Sequence, residues 1–365
     1  MSRYVPHLLA YISGHGFGHV AQTAPVLNRL RQLLPELHLT VCSTVPATHL
    51  QARIPGAFAH IPQAVDFGMV MASALDVLPE ESLNAYREFH RDWQWRVEQE
   101  AERITSLNPD FVFSNVAYLP LAAAKQVGVP CAAMCSLNWA DIFAHYCMGM
   151  TGAPEILSQM HEAYGAAGAF LRVTPGMSMA GIDKLQPIGP VASLGTNRRA
   201  EIDKRLGLAG GEKLVLITMG GVGMRLPMES WPMLKDVRWL AQANWNVVRD
   251  DTFTLESLAI DFTDVLASCD AMVCKPGYGS FAEAACNGVP VLYVGRHDWP
   301  EESCLVEWLA RHGRCVEVER RQLEAGDLDE ALASLLGQPK PGRIAPSGID
   351  QAADYLLRSI SMASP

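Results

Sequence analysis

The sequence predicts an α/β protein made of two doubly wound, Rossmann-like domains, and three observations carry that expectation. The first is length: 365 residues exceed what one hydrophobic core usually organises, since domains typically run roughly 100–200 residues. The second is alternation, because short β-branched or apolar runs alternate with amphipathic stretches from the start, the pattern of βαβ units and parallel sheets. The third is that each half opens with a strand running into a glycine-rich turn. Two such domains facing each other would present both turns to one interdomain cleft.

In chain order, His7–Ser13 reads as the first strand, Gly14–Gly18 as a glycine loop, Val20–Leu34 as a helix and Leu37–Ser43 as the second strand. One long helix is expected over Glu81–Leu107. Strand Phe111–Ser114, helix Leu119–Val127 and strand Cys131–Ser136 then form a second βαβ unit. Residues Gly176–Asn197 mix glycine, proline and small polar residues with little periodicity and read as a linker. Beyond it, strands fit Leu214–Thr218, Asn246–Arg249, Ala271–Cys274, Val291–Val294 and Cys315–Val318, with helices over Ser280–Asn287, Glu302–His312 and Asp350–Ser361. The expected division is 1–180 for an N-terminal domain, 181–200 for the linker, 201–345 for a C-terminal domain and 346–365 for a last helix packing back on the first domain.

Composition narrows the function. Hydrophobic residues make up 49% and charged residues 19% of the chain, an ordinary globular balance. The formal net charge is -10, and neither half carries a cationic surplus, which argues against a nucleic-acid partner because counterion release needs clustered Lys and Arg. Nine cysteines, without a Cys-x-x-Cys pair, read as reduced core thiols of a cytoplasmic protein. Apolar runs stop short of the ~18 residues of a membrane span, and no basic segment precedes the first of them, so neither an integral membrane segment nor a signal peptide is expected.

The loop Gly14-His15-Gly16-Phe17-Gly18-His19 is not a dinucleotide fingerprint. Its third glycine falls one position early, and the second strand ends without an acid for a ribose. The loop does allow close backbone approach and sets His19 at a helix N-terminus, whose dipole disfavours imidazolium and suits a proton acceptor. Helix capping by His15 and His19 is the structural alternative. In the second half, Gly220-Gly221-Val222-Gly223 follows a strand and aims backbone N–H groups outward, but lacks the Gly-Lys-Ser/Thr of a P-loop. Sharper is Cys274-Lys275-Pro276-Gly277-Tyr278-Gly279-Ser280-Phe281-Ala282-Glu283, a tight turn entering a helix. Its exposed N–H groups form an anion site, with Glu283 placed to accept hydrogen bonds from vicinal hydroxyls or to stabilise the helix dipole.

The segment from Ile260-Asp261 through Ser268-Cys269-Asp270, with Cys274–Glu283, Asn287-Gly288-Val289-Pro290 and His297–Glu302, resembles the nucleotide-sugar half of GT-B glycosyltransferases, particularly the peptidoglycan transferases of the MurG type. Gly14–His19 resembles their N-terminal glycine loop. A closer likeness is to the glycosyltransferase-like family that includes the N-terminal region of plant L-arabinokinases. It is carried by Gly14–His19, Val65-Asp66-Phe67-Gly68 with Asp76, Ser136-Leu137-Asn138-Trp139 and Lys275–Gly279, and covers most of the chain.

The resemblance implies a GT-B fold and a metal-independent glycosyltransferase with no cofactor. It implies a UDP- or dTDP-sugar donor and a small-molecule, glycan or lipid-linked acceptor. The donor would be met by Gly18, Gly220, Gly221, Val222, Ile260, Gly277, Tyr278, Gly279, Ser280, Glu283, His297, Glu301 and Glu302, where Glu301 and Glu302 replace glutamines of the family pattern. His15, Phe17, Asn115 and Trp139 would face the acceptor. His19 would be the general base of an inverting transfer; since Ser114-Asn115 stands where related enzymes often have Ser-Asp, its carboxylate partner would come from Asp66, Asp110 or Asp141. A nucleotide-sugar 2-epimerase or hydrolase, or a non-catalytic nucleotide-sugar sensor, would use the same donor half.

Overall fold

The computed structural model describes residues 4–220 and 224–363. The chain forms two compact units. The first comprises residues up to 72, 76–191 and 347 onward; the second comprises 73–75 and 192–346.

The first unit contains β1 (His7–Ile12), α1 (Gly18–Leu33), β2 (His38–Cys42), α2 (Ala47–Arg53), β3 (Ala59–Ile61), α3 (Pro79–Arg91) and α4 (Trp93–Leu107). It continues with β4 (Phe111–Asn115), α5 (Leu119–Gln126), β5 (Cys131–Cys135), α6 (Trp139–Cys147), α7 (Ala153–Gly165), β6 (Phe170–Arg172) and β7 (Leu185–Pro187). The seven strands order β3-β2-β1-β4-β5-β6-β7. Every named pairing is parallel, with Leu8 against Leu39 on one side and against Phe111 on the other. All six residues of β1 are buried, as expected of a parallel strand covered on both faces. The Tyr11 hydroxyl donates to the buried Glu100 of α4, whose other oxygen accepts from Arg103 at 2.8 Å, so one helix is pinned to the sheet.

The expected single helix over 81–107 is two helices. Asp92, with φ -111° and ψ 37°, breaks the register between α3 and α4. Across that break Trp93 stacks on His90, with ring centroids 5.0 Å apart, while Trp95 is exposed.

The second unit contains α8 (Arg199–Leu206), β8 (Lys213–Thr218), β9 (Val237–Ala241), β10 (Thr252–Thr254), α9 (Phe262–Ser268), β11 (Ala271–Cys274) and α10 (Tyr278–Asn287). It ends with β12 (Val291–Val294), α11 (Glu302–His312), β13 (Cys315–Val318), α12 (Arg320–Ala325) and α13 (Asp329–Leu336). The six strands order β10-β9-β8-β11-β12-β13, again in parallel. The strand expected over Asn246–Arg249 is not one. Asn246 adopts φ 49° as the cap of a 3-10 turn, a left-handed conformation Asn tolerates, and the real strands lie on either side. Val247 packs on the core while Val248 is 86% exposed. The core of this unit also takes in Leu75, from the segment 73–75.

The last helix, α14 (Gly348–Ala363), groups with the first unit. It buries Ala352, Ala353, Leu356 and Ile360, an amphipathic stripe at helical spacing. Arg29 of α1 pairs with Asp350 at 2.6 Å, and Gln351 accepts the Gly189 N–H at 2.7 Å.

Candidate functional site

In each sheet the strand order reverses direction at one place: between β1 and β4 in the first unit and between β8 and β11 in the second. Loops leaving the carboxyl ends of adjacent strands diverge there, which opens the crevice where doubly wound sheets bind ligands. His19 and Asn115 fall at the first of these places, and Gly220 and the turn at Lys275–Ser280 at the second.

In the first unit the chain leaves β1 through Ser13, whose N–H donates to Asn115 at the end of β4, and α1 opens at Gly18. His19 therefore stands on the first turn of α1 beside the tip of β4, 6% exposed. Its Nδ1 lies 2.8 Å from Asn115 Oδ1, a contact that suits a proton on Nδ1 and a lone pair on Nε2. Burial pushes the imidazole down to about 4, against a smaller upward pull from the Asn115 hydrogen bond. The ring is neutral at physiological pH and able to accept a proton.

The expected carboxylate partner of His19 is not found among Asp66, Asp110 and Asp141. Asp66 accepts from Ser13 Oγ at 3.0 Å and from the Trp139 indole at 2.8 Å; Asp110 accepts the His7 N–H at 2.6 Å; Asp141 is engaged with Asn138 at the start of α6. An amide, Asn115, takes the place instead. The acceptor-facing role expected for Asn115 and Trp139 meets the same obstacle: both side chains are fully buried and already hydrogen-bonded. His15 packs edge-on against Trp139, with centroids 5.2 Å apart, and meets the Phe67 carbonyl through Nδ1 at 3.1 Å. Phe17 stacks on His49 at 4.0 Å. Gly68 closes this cluster at φ +66°; a Cβ there would stand 2.6 Å from the His15 ring and 2.8 Å from Trp139.

In the second unit, Gly220 follows β8 with φ +78°, and Lys275 follows β11. A Cβ added at Gly220 would lie 3.5 Å from Lys275 Cε and 3.9 Å from Nζ; one added at Gly277 would lie 3.8 Å from Nζ. The ammonium thus sits between the glycine turn after β8 and the first residues of α10. Desolvation, and secondly repulsion from Arg296, lower Lys275 to about 8. No hydrogen bond from this ammonium is found among the described residues. Sequence alone gives Lys275 no role, and the signal that marks it is a lysine directly after a strand and before Pro-Gly. Gly221 and Val222 lie outside the described residues.

Around that turn, Tyr278 and Gly279 are buried, Ser280 is half-buried, and Glu283 is buried one turn inside α10. Ile260 sits half-buried between a 3-10 turn and α9. After β12, the Arg296 guanidinium lies 3.8 Å above the Trp299 ring and donates to the Leu75 carbonyl at 3.4 Å. Glu301 is 4% exposed and accepts from the Trp299 indole at 3.3 Å. Glu302 accepts the Arg296 N–H at 2.8 Å, and burial raises its carboxyl. His297 is exposed, with Nε2 3.1 Å from Glu317 and Nδ1 3.9 Å from Glu302. Among the described residues no cluster of three or more His, Cys, Asp or Glu side chains is disposed to hold a metal, and no helix is long and apolar enough to cross a membrane.

No protein-family profile matches the chain. In sequence it is 29% identical over 329 residues to an L-arabinokinase of Arabidopsis thaliana, a match covering 87% of this chain and 31% of that protein. The chain therefore spans about a third of that relative's length. Among solved structures it is similar to Arabidopsis thaliana UGT89C1 complexed with quercetin, with a TM-score of 0.61, 13% identity and coverage of 98% and 100% of the two chains. It is likewise similar to the glycosyltransferase SnogD from Streptomyces nogalater, with a TM-score of 0.55, 18% identity and coverage of 99% and 97%. The glycosyltransferase VinC in complex with dTDP gives a TM-score of 0.52 at 16% identity, covering 97% and 95%. Two Rossmann-like α/β domains, with seven and six parallel strands, thus give this chain the GT-B fold of glycosyltransferases.

Proposed function

We propose that the chain is a glycosyltransferase that moves a sugar from a nucleotide diphosphate, uridine or deoxythymidine, to an acceptor hydroxyl with inversion. The observation that carries this reading is the Lys275 ammonium set between the Gly220 turn and the start of α10. A dianionic diphosphate satisfies the cation and the outward N–H groups together. Glu283 holds the ribose and Glu301 accepts hydrogen bonds from the sugar. The fold likeness supports the reading, as do the neighbours solved with dTDP and with quercetin.

His19 serves as the base. As the acceptor oxygen bonds to the anomeric carbon, its proton passes to Nε2, and the bond to the diphosphate breaks with its electron pair leaving on the phosphate oxygen. Lys275 and the backbone dipoles stabilise that charge as it develops, so transfer proceeds in the presence of a chelator. Sugar phosphorylation is not part of the proposal, because the chain matches only 31% of the L-arabinokinase and carries no P-loop.

The test is a donor screen. UDP, dTDP, GDP and ADP are compared by thermal shift, since a ligand that binds the native state alone raises apparent stability; the responding donor sugar is then incubated with an acceptor panel and without acceptor. Product that depends on an acceptor supports transfer. Release of free sugar at the same rate without one points to a hydrolase, and a response to no nucleotide overturns the donor site.

A further inference from the structure

Behind His19 lies a buried chain of neutral side chains that its role as a base does not by itself explain. Asn115, Gln22 and Ser136 are 0%, 2% and 1% exposed. Asn115 Nδ2 donates to Gln22 Oε1 at 3.2 Å, and Gln22 Nε2 donates to Ser136 Oγ at 2.8 Å. Each carboxamide has one donor and one acceptor end, so once Gln22 Nε2 is committed to Ser136, its oxygen faces Asn115. The Asn115 nitrogen must then turn toward Gln22 and its oxygen toward His19. The direction of the whole chain is passed to the imidazole.

We propose that Gln22 and Ser136 are positioning residues which, through Asn115, fix His19 in the Nδ1–H tautomer and so keep Nε2 open as the proton acceptor. The proposal rests on the reading of His19 as a base for its catalytic consequence, but not for its structural content. The relay does with amides what a carboxylate does when it accepts from a histidine: it sets ring orientation and tautomer. It adds no negative charge, and among the described residues no acid hydrogen-bonds the ring. The Cys135 thiol also lies near Nδ1, at 3.8 Å. A reversed chain, with Ser136 Oγ donating to Gln22 and Asn115 Nδ2 donating to His19, would satisfy the same atoms while protonating Nε2. That arrangement would disable the base, and direction is therefore the property to measure.

The experiment uses full-length protein labelled with ¹⁵N-histidine, with the His19 signals assigned by their loss in His19→Gln. Two-bond ¹H–¹⁵N spectra report which ring nitrogen carries the proton. Wild type is expected to show Nδ1–H. Gln22→Met, which removes both ends of the relay, is expected to populate the Nε2–H form and to lower kcat about tenfold or more, up to the roughly 10²–10⁴-fold worth of a general base. Its donor KM should stay within about twofold, because the donor half is untouched. Gln22→Glu only accepts, so it should hold Asn115 in the observed direction and keep both the Nδ1–H signature and turnover. Should Gln22→Met fail to fold, Ser136→Ala decides, since it removes the anchor of Gln22 Nε2 and an unchanged His19 tautomer there overturns the relay. Wild-type His19 protonated at Nε2, or a Gln22→Met protein with unchanged tautomer, overturns the relay. Protein with the expected tautomers but no transfer to any acceptor overturns the catalytic reading and leaves the relay standing.

Discussion

His19 Nδ1 and Asn115 Oδ1 share a 2.8 Å hydrogen bond at the point where the first sheet reverses its strand order. The pairing joins the first turn of α1 to the last residue of β4, and it substitutes a neutral amide for the acid that the sequence leads one to seek. Two consequences follow from electrostatics alone. The amide orients the imidazole and raises its basicity by less than burial lowers it, and among the described residues no carboxylate hydrogen-bonds the ring.

Replacing Asn115 with aspartate should therefore raise the pKa of His19. A carboxylate favours the charged ring, so the base becomes protonated at a higher pH and activity is lost earlier on acidification. The wild-type acid limb of kcat/KM should bend near about 4, following the burial-lowered ring, and that of Asn115→Asp should bend at least about one pH unit higher. Superimposable pH–rate profiles would contradict this account of the pair.

Asp66 supplies a second titration of opposite sign. Burial raises its carboxyl to about 6, against downward pulls from Trp139 and then Ser13. Its folded pKa exceeds its unfolded one, so the protonated form is favoured by folding. Stability relative to Asp66→Asn should then grow as pH falls from about 6 toward 4 and be lost as pH rises through 6. Because the titrating oxygen holds the Trp139 indole, tryptophan fluorescence should show a transition centred near pH 6 that Asp66→Asn lacks.

Lys275 predicts how donor binding depends on pH. Desolvation and Arg296 lower the ammonium to about 8, and a bound diphosphate would favour its charged form. Nucleotide binding should take up a proton above pH 8, and the Kd for UDP should rise by up to about tenfold per pH unit there. Calorimetry in buffers of different ionisation enthalpy measures that uptake; an affinity flat from pH 7 to 9 would contradict the assignment.

Gly68→Ala should disturb the His15–Trp139 cluster more than its size suggests. Gly68 holds φ +66°, and the new methyl group would collide with the His15 ring and Trp139. A loss of about 1–3 kcal/mol in denaturant unfolding is expected from strain and overpacking. A stability within 0.5 kcal/mol of wild type, on the order of an ordinary surface change, would show that the cluster yields easily.

The parallel strands and glycine turns were legible because burial on both faces writes a continuous apolar run, as in His7–Ile12 and Ala271–Cys274. The break at Asp92 was not, because both flanking segments keep helical periodicity and only one residue leaves the helix. Val237–Ala241 went unread while Val247-Val248 drew a strand nearby; the two valines of that pair differ in burial, which composition does not reveal. In the site, His19 and the turn at Lys275–Ser280 were visible as residue types at glycine turns. The partner of His19 was not, because Asn115, Gln22 and Ser136 come from separate elements, and only the pairing of β1 with β4 and of β4 with β5 makes them neighbours.

Retention of a nucleotide diphosphate at the Lys275 turn is read out by calorimetric titration of UDP, or of whichever nucleotide responds. Saturable binding to wild type and to His19→Ala, with Kd weakened about 10- to 100-fold in Lys275→Ala, is the predicted result for loss of one charge-assisted contact. Equal affinity of wild type and Lys275→Ala, or no nucleotide binding to the wild type at all, would contradict it.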